Sequence, residues 1–295
     1  MSRQTILILG PHRTKTIDAI DSFLSAHLSL ETFFISAKDI VSSLDVRDTI
    51  LSSDDISVNW TLFDHTFSTD DIKGVLNLLP YLDLQLFSDF EQEDQRYAHA
   101  ELSAYLLFAL SRFRNVINPP WGGSIAGFCN SLPYQWLFVD SCNTQVLTPK
   151  FFFGMAEDAP IDLLGVNTVH SLDIFDGRNW RTGPLHNLPR HEPVFLYQRP
   201  RGLPVVITFL DDSWWPYSLA HSDIPSSCLA PLDHLLYLMK DHYHLRLGEV
   251  LCFVDTGRSQ VTFGSVQPGI EAEFLNPEER TQVFAKLGQA LSMNP

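Results

Sequence analysis

The sequence predicts an α/β region followed by an α+β region, and three observations carry that expectation. Residues up to about 118 alternate short apolar runs with helical stretches, as parallel strand pairing requires. Pro119-Pro120 and Trp121-Gly-Gly-Ser124 then break the pattern. Beyond them, strand-like runs follow one another with hairpin signals, as in an antiparallel sheet.

In order, Thr5 to Leu9 is a buried-strand pattern stopped at Gly10-Pro11, and Ile17, Ile20, Phe23, Leu24 and Leu28 share one side of a helix. Thr32 to Ser36, Ile56 to Phe63 and Gly74 to Leu79 are expected as the second, third and fourth strands. Glu91 to Phe113 gives the strongest helix signal, with Ala98, Leu102, Tyr105, Leu106 and Ala109 on one stripe. Its acids fall in the first turn and Arg112 and Arg114 near the end, as the helix dipole favours. Asn115 to Asn118 is a short strand, and the division is placed close after it: 1–120 as one domain, 121–295 as another, in lobes of roughly 121–192 and 193–295.

In the second half, Pro133 to Val139 is expected helical and Gln145 to Phe153 extended. Ile161 to Phe175, Pro193 to Tyr197 and Val205 to Leu210 are expected as antiparallel strands. A helix over Pro231 to His244 precedes a hairpin, Glu249 to Val254 and Gln260 to Val266, turning at Asp255-Thr-Gly257. A last helix, Pro277 to Leu291, takes Asn276 as its N-cap.

Composition narrows the function. The 295 residues are 45% hydrophobic and 19% charged, enough for a sizeable core. Twenty basic against 35 acidic residues leave a formal charge of -15, which argues against nucleic-acid and anionic-membrane partners. Six of the basic residues are lysines: Lys15, Lys38, Lys73, Lys150, Lys240 and Lys286. No window has the ~20 apolar residues of a membrane span. The four cysteines show no CxxC spacing, so reduced thiols in a cytoplasmic protein are expected.

Several segments, in order, resemble RimK-like ATP-grasp carboxylate–amine ligases, the group that includes ribosomal-peptide-modifying ligases. They are Asn115-Val-Ile-Asn-Pro-Pro120, Asn130-Ser-Leu-Pro-Tyr-Gln135 and Val146-Leu-Thr-Pro149. Upstream, Gly74-Val-Leu-Asn-Leu78 and the long helix match the family's preceding domain; downstream, Pro193-Val-Phe-Leu-Tyr-Gln198 matches its adenine strand. Ser265-Val-Gln-Pro268 falls where its Glu-x-Asn-Pro metal motif stands. The resemblance implies an ATP-grasp-like fold with an N-terminal α/β (pre-ATP-grasp) domain. It also implies a chemistry in which ATP converts a carboxylate to an acyl phosphate, from which an amine or hydroxyl then displaces the phosphate. Such catalysis is positioning and charge stabilisation, by lysines and by magnesium on oxygen ligands.

Against that pattern, Leu132 replaces one ATP lysine and Leu163 to Phe175 contains no second one. Arg199 stands where an acid is expected, Pro204 to Ile207 lacks the Asp-x-Arg of its strand, and Leu78 lacks a nearby arginine. Ser265 and Gln267 replace the Glu and Asn metal ligands, while Glu249 aligns loosely with the remaining acid. The expectation is a retained scaffold with a dismantled nucleotide site: a pseudo-ligase in peptide or amide natural-product modification, working beside an active ligase. The alternatives are an active ligase with relocated residues and a peptide- or metabolite-binding protein. For catalysis the candidates are Arg199, Arg201, Glu249 and Gln267; for a nucleotide, Lys150, Gln198 and Arg199; for a metal, Glu249 and Gln267. ATP and magnesium are expected only under the active-ligase alternative, and the substrate would be a peptide or a small-molecule carboxylate.

Other features have plainer readings. Gly10-Pro-His-Arg-Thr-Lys-Thr16 lacks the spacing of a phosphate loop, and Pro11 removes an amide donor. His234, His242 and His244 suit a solvated helix end better than a metal site. Arg178, Arg181, Arg190, Arg199 and Arg201 form either an anion-binding surface or a loop that offsets local acids. Trp214-Trp-Pro-Tyr217 is either a peptide face or sheet cover, and Glu271 and Glu273 either a substitute ligand or a solvated edge.

Overall fold

A computed structural model describes residues 5–52, 55–127, 131–142, 144–160, 168–170, 193–218 and 224–293. β1 (Thr5–Gly10) is apolar on both faces and therefore central, running parallel to β2 (Glu31–Ser36). Between them lies α1 (Lys15–Leu28), capped by the Thr14 hydroxyl, which accepts from the Ile17 amide; it buries Ile17, Ile20 and Leu24. α2 (Ala37–Ser43), a helix the sequence patterns did not suggest, starts at a capping box between Ser36 and Asp39.

The expected third strand is corrected. Ile56 to Phe63 does not join the parallel sheet. Short strands β3 (Asp45–Val46), β4 (Thr49–Ile50), β5 (Ile56–Ser57), β6 (Asn59–Leu62) and β7 (His65–Ser68) form two small antiparallel sheets, β3-β6-β7 and β4-β5. The alternation of Val58, Trp60 and Leu62 buries one side only, as suits a sheet with one wet face, and exposed Phe63 turns the chain at a φ of 54°. β8 (Ile72–Asn77) returns to pair with β1, and β9 (Val116–Ile117) completes a parallel sheet in the order β2-β1-β8-β9. α3 (Gln92–Leu110) packs its stripe against this region, where the Trp60 indole donates to the Tyr105 hydroxyl at 2.7 Å.

α4 (Leu132–Ser141) leads into β10 (Phe151–Met155), which with β11 (Thr168–His170) and β12 (Pro193–Gln198) forms an antiparallel sheet, β10-β12-β11. The rest of the Ile161 to Phe175 expectation lies outside the described residues. A larger antiparallel sheet follows in the order β14-β13-β15-β16: β13 (Leu203–Leu210), β14 (Ser213–Ser218), β15 (Leu247–Asp255) and β16 (Gln260–Pro268). Gly202 enters it at a φ of 103°, where a Cβ would lie 2.4 Å from the Val254 carbonyl carbon.

α5 (Ser226–Tyr243) begins five residues before the expected Pro231 and carries that proline inside it. Proline lacks the amide that would bond Ser227, but Ser227 is exposed and water can satisfy its carbonyl. α6 (Pro277–Ser292) has the expected Asn276 cap, reciprocated by Glu279. It packs not on its own neighbours alone but on α1, β8 and β9. Gly74 permits this, because a Cβ there would sit 2.3 Å from the Leu291 carbonyl oxygen. One core therefore joins Ile6, Ile8, Ile20 and Leu24 to Leu275, Phe284, Leu287 and Leu291.

Candidate functional site

The carboxyl ends of β8 and β9 meet the start of β15 through two buried asparagines. Asn77 donates to the carbonyls of Asn118 (3.1 Å) and Ile125 (2.6 Å). Asn118, at a φ of 61°, donates to the Leu247 carbonyl and accepts from the amides of Arg246 and Leu247. Asparagine tolerates this left-handed backbone better than most residues, and its amide spans both backbone polarities. The Asn-Pro turn thus works as a joint between the parallel sheet and the large antiparallel one.

α4 performs a second joining role. The outward edge of β16 would leave backbone groups unpaired in the core. Gln135 covers them: its amide donates to the Val266 carbonyl (3.2 Å) and accepts from the Val266 amide (2.9 Å). The Trp136 indole donates to the Gly264 carbonyl (2.6 Å), and Leu147 exchanges backbone bonds with Val261 and Phe263. A glutamine side chain here imitates a further strand. Trp136 also meets Phe151, Phe195 and Tyr197 at centroid separations of 5.3 to 5.6 Å. That aromatic group belongs to one buried cluster with Ile207, Val250, Cys252 and Phe263, and Leu132 packs against it. Burial pushes the Cys252 thiol well above its usual range, so it is no nucleophile.

The candidates for catalysis, nucleotide and metal fall in two places. At the end of β12 the Gln198 amide donates to the Lys150 carbonyl at 2.8 Å, and the side chains of Lys150, Arg199 and Arg201 are exposed. Glu249 and Gln267 lie elsewhere on the large sheet, paired directly across β15 and β16. Leu203 pairs with Val254 and Thr208 with Glu249. Five strand residues separate those rungs, about 16 Å at the usual rise, and Arg201 lies further still. The structure brings Glu249 and Gln267 together, and Lys150 with Gln198. It does not bring Arg201 to Glu249. Arg178, Arg181, Arg190 and Asn130 lie outside the described residues.

Glu249 is buried and engaged within the protein. Its carboxylate accepts from the Gln267 side chain (3.1 Å) and from the Glu271 amide (2.6 Å). The Glu271 carboxylate accepts from the Thr16 hydroxyl at 3.4 Å, and that hydroxyl accepts from the Ala272 amide. The acid is a tie between the large sheet, the segment after it and α1. Beside it on β13, the Thr208 hydroxyl is buried without a hydrogen-bond partner. Thr16 and Thr208 carry no signal of these contacts in the sequence, whereas Asn77 stands out as a polar residue closing an apolar strand.

The described candidate residues do not fit magnesium or ATP. Magnesium on nucleotide phosphates needs a converging set of carboxylate and amide oxygens. Among the candidates only Glu249 is an acid, and it accepts from the Gln267 side chain and the Glu271 amide. Among the described residues, no three His, Cys, Asp or Glu side chains converge. No lysine occurs in the sequence between Lys150 and Lys240.

His242 and His244 lie at the end of α5 and His234 in its middle; His242 stacks on Phe138 and His244 meets Trp121 tilted by 33°, each at a centroid distance of 3.6 Å. Trp214 and Trp215 are half-buried on the edge strand β14, bonded to Asp233 and Gln282. No helix among the described residues is long and apolar enough to cross a membrane.

No protein-family model and no curated protein matches the sequence. Solved structures do match. The macrocyclase MdnC of Microcystis aeruginosa, bound with precursor peptide MdnA, superposes with a TM-score of 0.69 at 14% identity, covering 96% of this chain and 99% of its own. A RiPP-associated ATP-grasp ligase of Chryseobacterium gregarium, in complex with ADP and a leader and core peptide, gives 0.69 at 13%, covering 98% and 96%. An ATP-grasp RimK domain protein of Sphaerobacter thermophilus gives 0.53 at 12%, covering 98% of each chain. The chain has the ATP-grasp fold over nearly its whole length.

Proposed function

We propose that this protein is a degenerate RimK-like ATP-grasp homologue that binds a peptide in the cytoplasm without ATP-driven ligation, and that it serves an active partner ligase in peptide modification. The observation that carries the reading is the condition of Glu249. It is the one acid left where the fold's ligases hold magnesium, and it is consumed by internal hydrogen bonds. Leu132, packed into the aromatic cluster where an ATP lysine is expected, supports it. Peptide binding is inferred from the structural neighbours, which were solved with precursor, leader and core peptides.

Calorimetric and thermal-shift titration with Mg-ATP tests the nucleotide half. No heat and no stabilisation are expected. A ligand at 100 times its Kd would add about 2.7 kcal/mol of stability, so silence is informative. A shift abolished by Arg199→Ala or Glu249→Ala would instead establish the relocated active site. Co-purification with a second ATP-grasp ligase tests the partner half.

A further inference from the structure

α3 is apolar on more sides than the fold uses. Its inner side is enclosed: Leu106, Ala109 and Leu110 are buried, and Ala98, Leu102 and Tyr105 pack against the same core. A helix that folds against one core needs one such stripe, with polar residues opposite. Here the opposite side carries Tyr97, 68% exposed, together with exposed Ala104 and half-buried Phe108.

Those residues belong to a seam with an internal symmetry. Glu93, Tyr97, Glu101, Ala104, Phe108 and Arg112 follow one another in steps of four, four, three, four and four residues, which keeps them on one outer line of the helix. Arg112 lies just past the last full turn. Its amide still donates to the Ala109 carbonyl at 3.0 Å, and its guanidinium lies 5.3 Å from the Phe108 ring centroid, so it stays on that line. The spacing reads the same from either end. Laid antiparallel against itself across a twofold axis, the seam sets Glu93 opposite Arg112, Tyr97 opposite Phe108 and Glu101 opposite Ala104, each twice. Acid meets base and ring meets ring, and the small Ala104 leaves room for the Glu101 stem, whose carboxylate reaches water beside the seam. A twofold interface requires this self-complementarity. Within the chain, neither Glu93 nor Arg112 has an ion-pair partner among the described residues. Antiparallel helix dipoles act in the same sense, since each acidic N-terminus lies beside the partner's C-terminus.

We propose that two copies of this chain pair through the outer side of α3, antiparallel across a twofold axis. The claim goes beyond the proposed function and stands or falls separately, since the seam shares no residue with the nucleotide candidates. One helix pair covers less surface than a permanent dimer needs, so a reversible association with a Kd of roughly 1 to 100 µM is expected.

Sedimentation equilibrium from about 1 to about 200 µM protein, in about 150 mM salt, tests it across that range. The average mass rises from one chain toward two. Glu93→Arg or Arg112→Glu alone weakens pairing about tenfold or more, because each sets like charges opposite one another. The two changes together restore it to within about threefold, and that recovery separates a repelled interface from a misfolded chain. Tyr97→Asp, at an exposed position, weakens pairing to a similar degree. Glu101→Gln tightens it, since the two Glu101 carboxylates flank the axis. Asp140→Arg, a charge reversal on exposed α4 surface, leaves it unaltered.

A chain that stays monomeric at the highest concentration would overturn the proposal. So would a dimer that the single reversals leave intact, or one that the double reversal fails to restore. A monomeric chain whose seam variants lose co-purification with a second ATP-grasp ligase would assign the seam to that partner and exclude the pairing of like copies.

Discussion

One short motif contains both fates that this fold's residues have met. In Ser131 to Gln135, Gln135 is intact and both of its amide groups are bonded to Val266, whereas three positions earlier Leu132 lies against an aromatic core. The same contrast holds more widely. The joints at Asn77, Asn118 and Gln135 are buried and satisfied on both polarities. The candidate polar residues are exposed, as Lys150, Arg199 and Arg201 are, or turned inward, as Glu249 is. Buried groups that hold the backbone together and exposed polar groups thus lie side by side along the same strands and helices.

The joints are where that contrast breaks most easily. Asn118→Ala removes three hydrogen bonds and places alanine at a φ of 61°; a loss of roughly 3–5 kcal/mol is expected by urea unfolding. Asn118→Gly keeps the backbone conformation open, so the gap between the two variants measures the strain alone, roughly 1 kcal/mol. Gln135→Leu strands the Val266 amide and carbonyl and is expected to cost about 2–3 kcal/mol. Stability unchanged in Gln135→Leu would show that water enters that edge and that the joint is dispensable.

The chemistry-bearing side predicts smaller effects. Glu249→Gln retains an acceptor for the Glu271 amide and is expected to cost under about 1 kcal/mol. A metal ligand would behave differently, since its loss would abolish any magnesium-dependent stabilisation. The smallest effect is a pH dependence. Burial lowers the His242 pKa from its ordinary 6.5, with Asp241 acting in the opposite sense. The unfolded chain then takes up the proton first, so stability is full above pH 6.5 and declines as the pH falls below it. In His242→Gln the melting temperature should fall less between pH 7 and 5.5 than in the wild type. Parallel curves would remove His242 from that account.

Much of the fold was legible because its signals are local. The apolar run of β1, the stripe of α3 and the Asn276 cap each depend on residues close in sequence. Ile56 to Phe63 was misplaced because alternation states which face is buried but not which sheet supplies the partner. α5 starts earlier than its sequence suggests, because Pro231 reads as a helix start and the exposed Ser227 relaxes that rule. Of the candidate site, the cross-strand neighbours Glu249 and Gln267 are legible as polar residues within apolar strands. The contacts around them are hidden: Thr16 meets Glu271 across 255 residues, and no periodicity reports a contact of that separation.

The packing of α6 on the first sheet also sets a timetable. The core shared by Ile6, Ile20, Leu24 and Ile117 is completed by residues 270 to 291. A ribosome adds roughly 5 to 20 residues per second, so the interval between Ile117 and Ile270 takes on the order of ten seconds. Throughout it, one face of an otherwise finished parallel sheet is covered by α1 alone. The nascent chain is most exposed to aggregation in that interval, and a chaperone that holds residues 5 to 120 would help it most then.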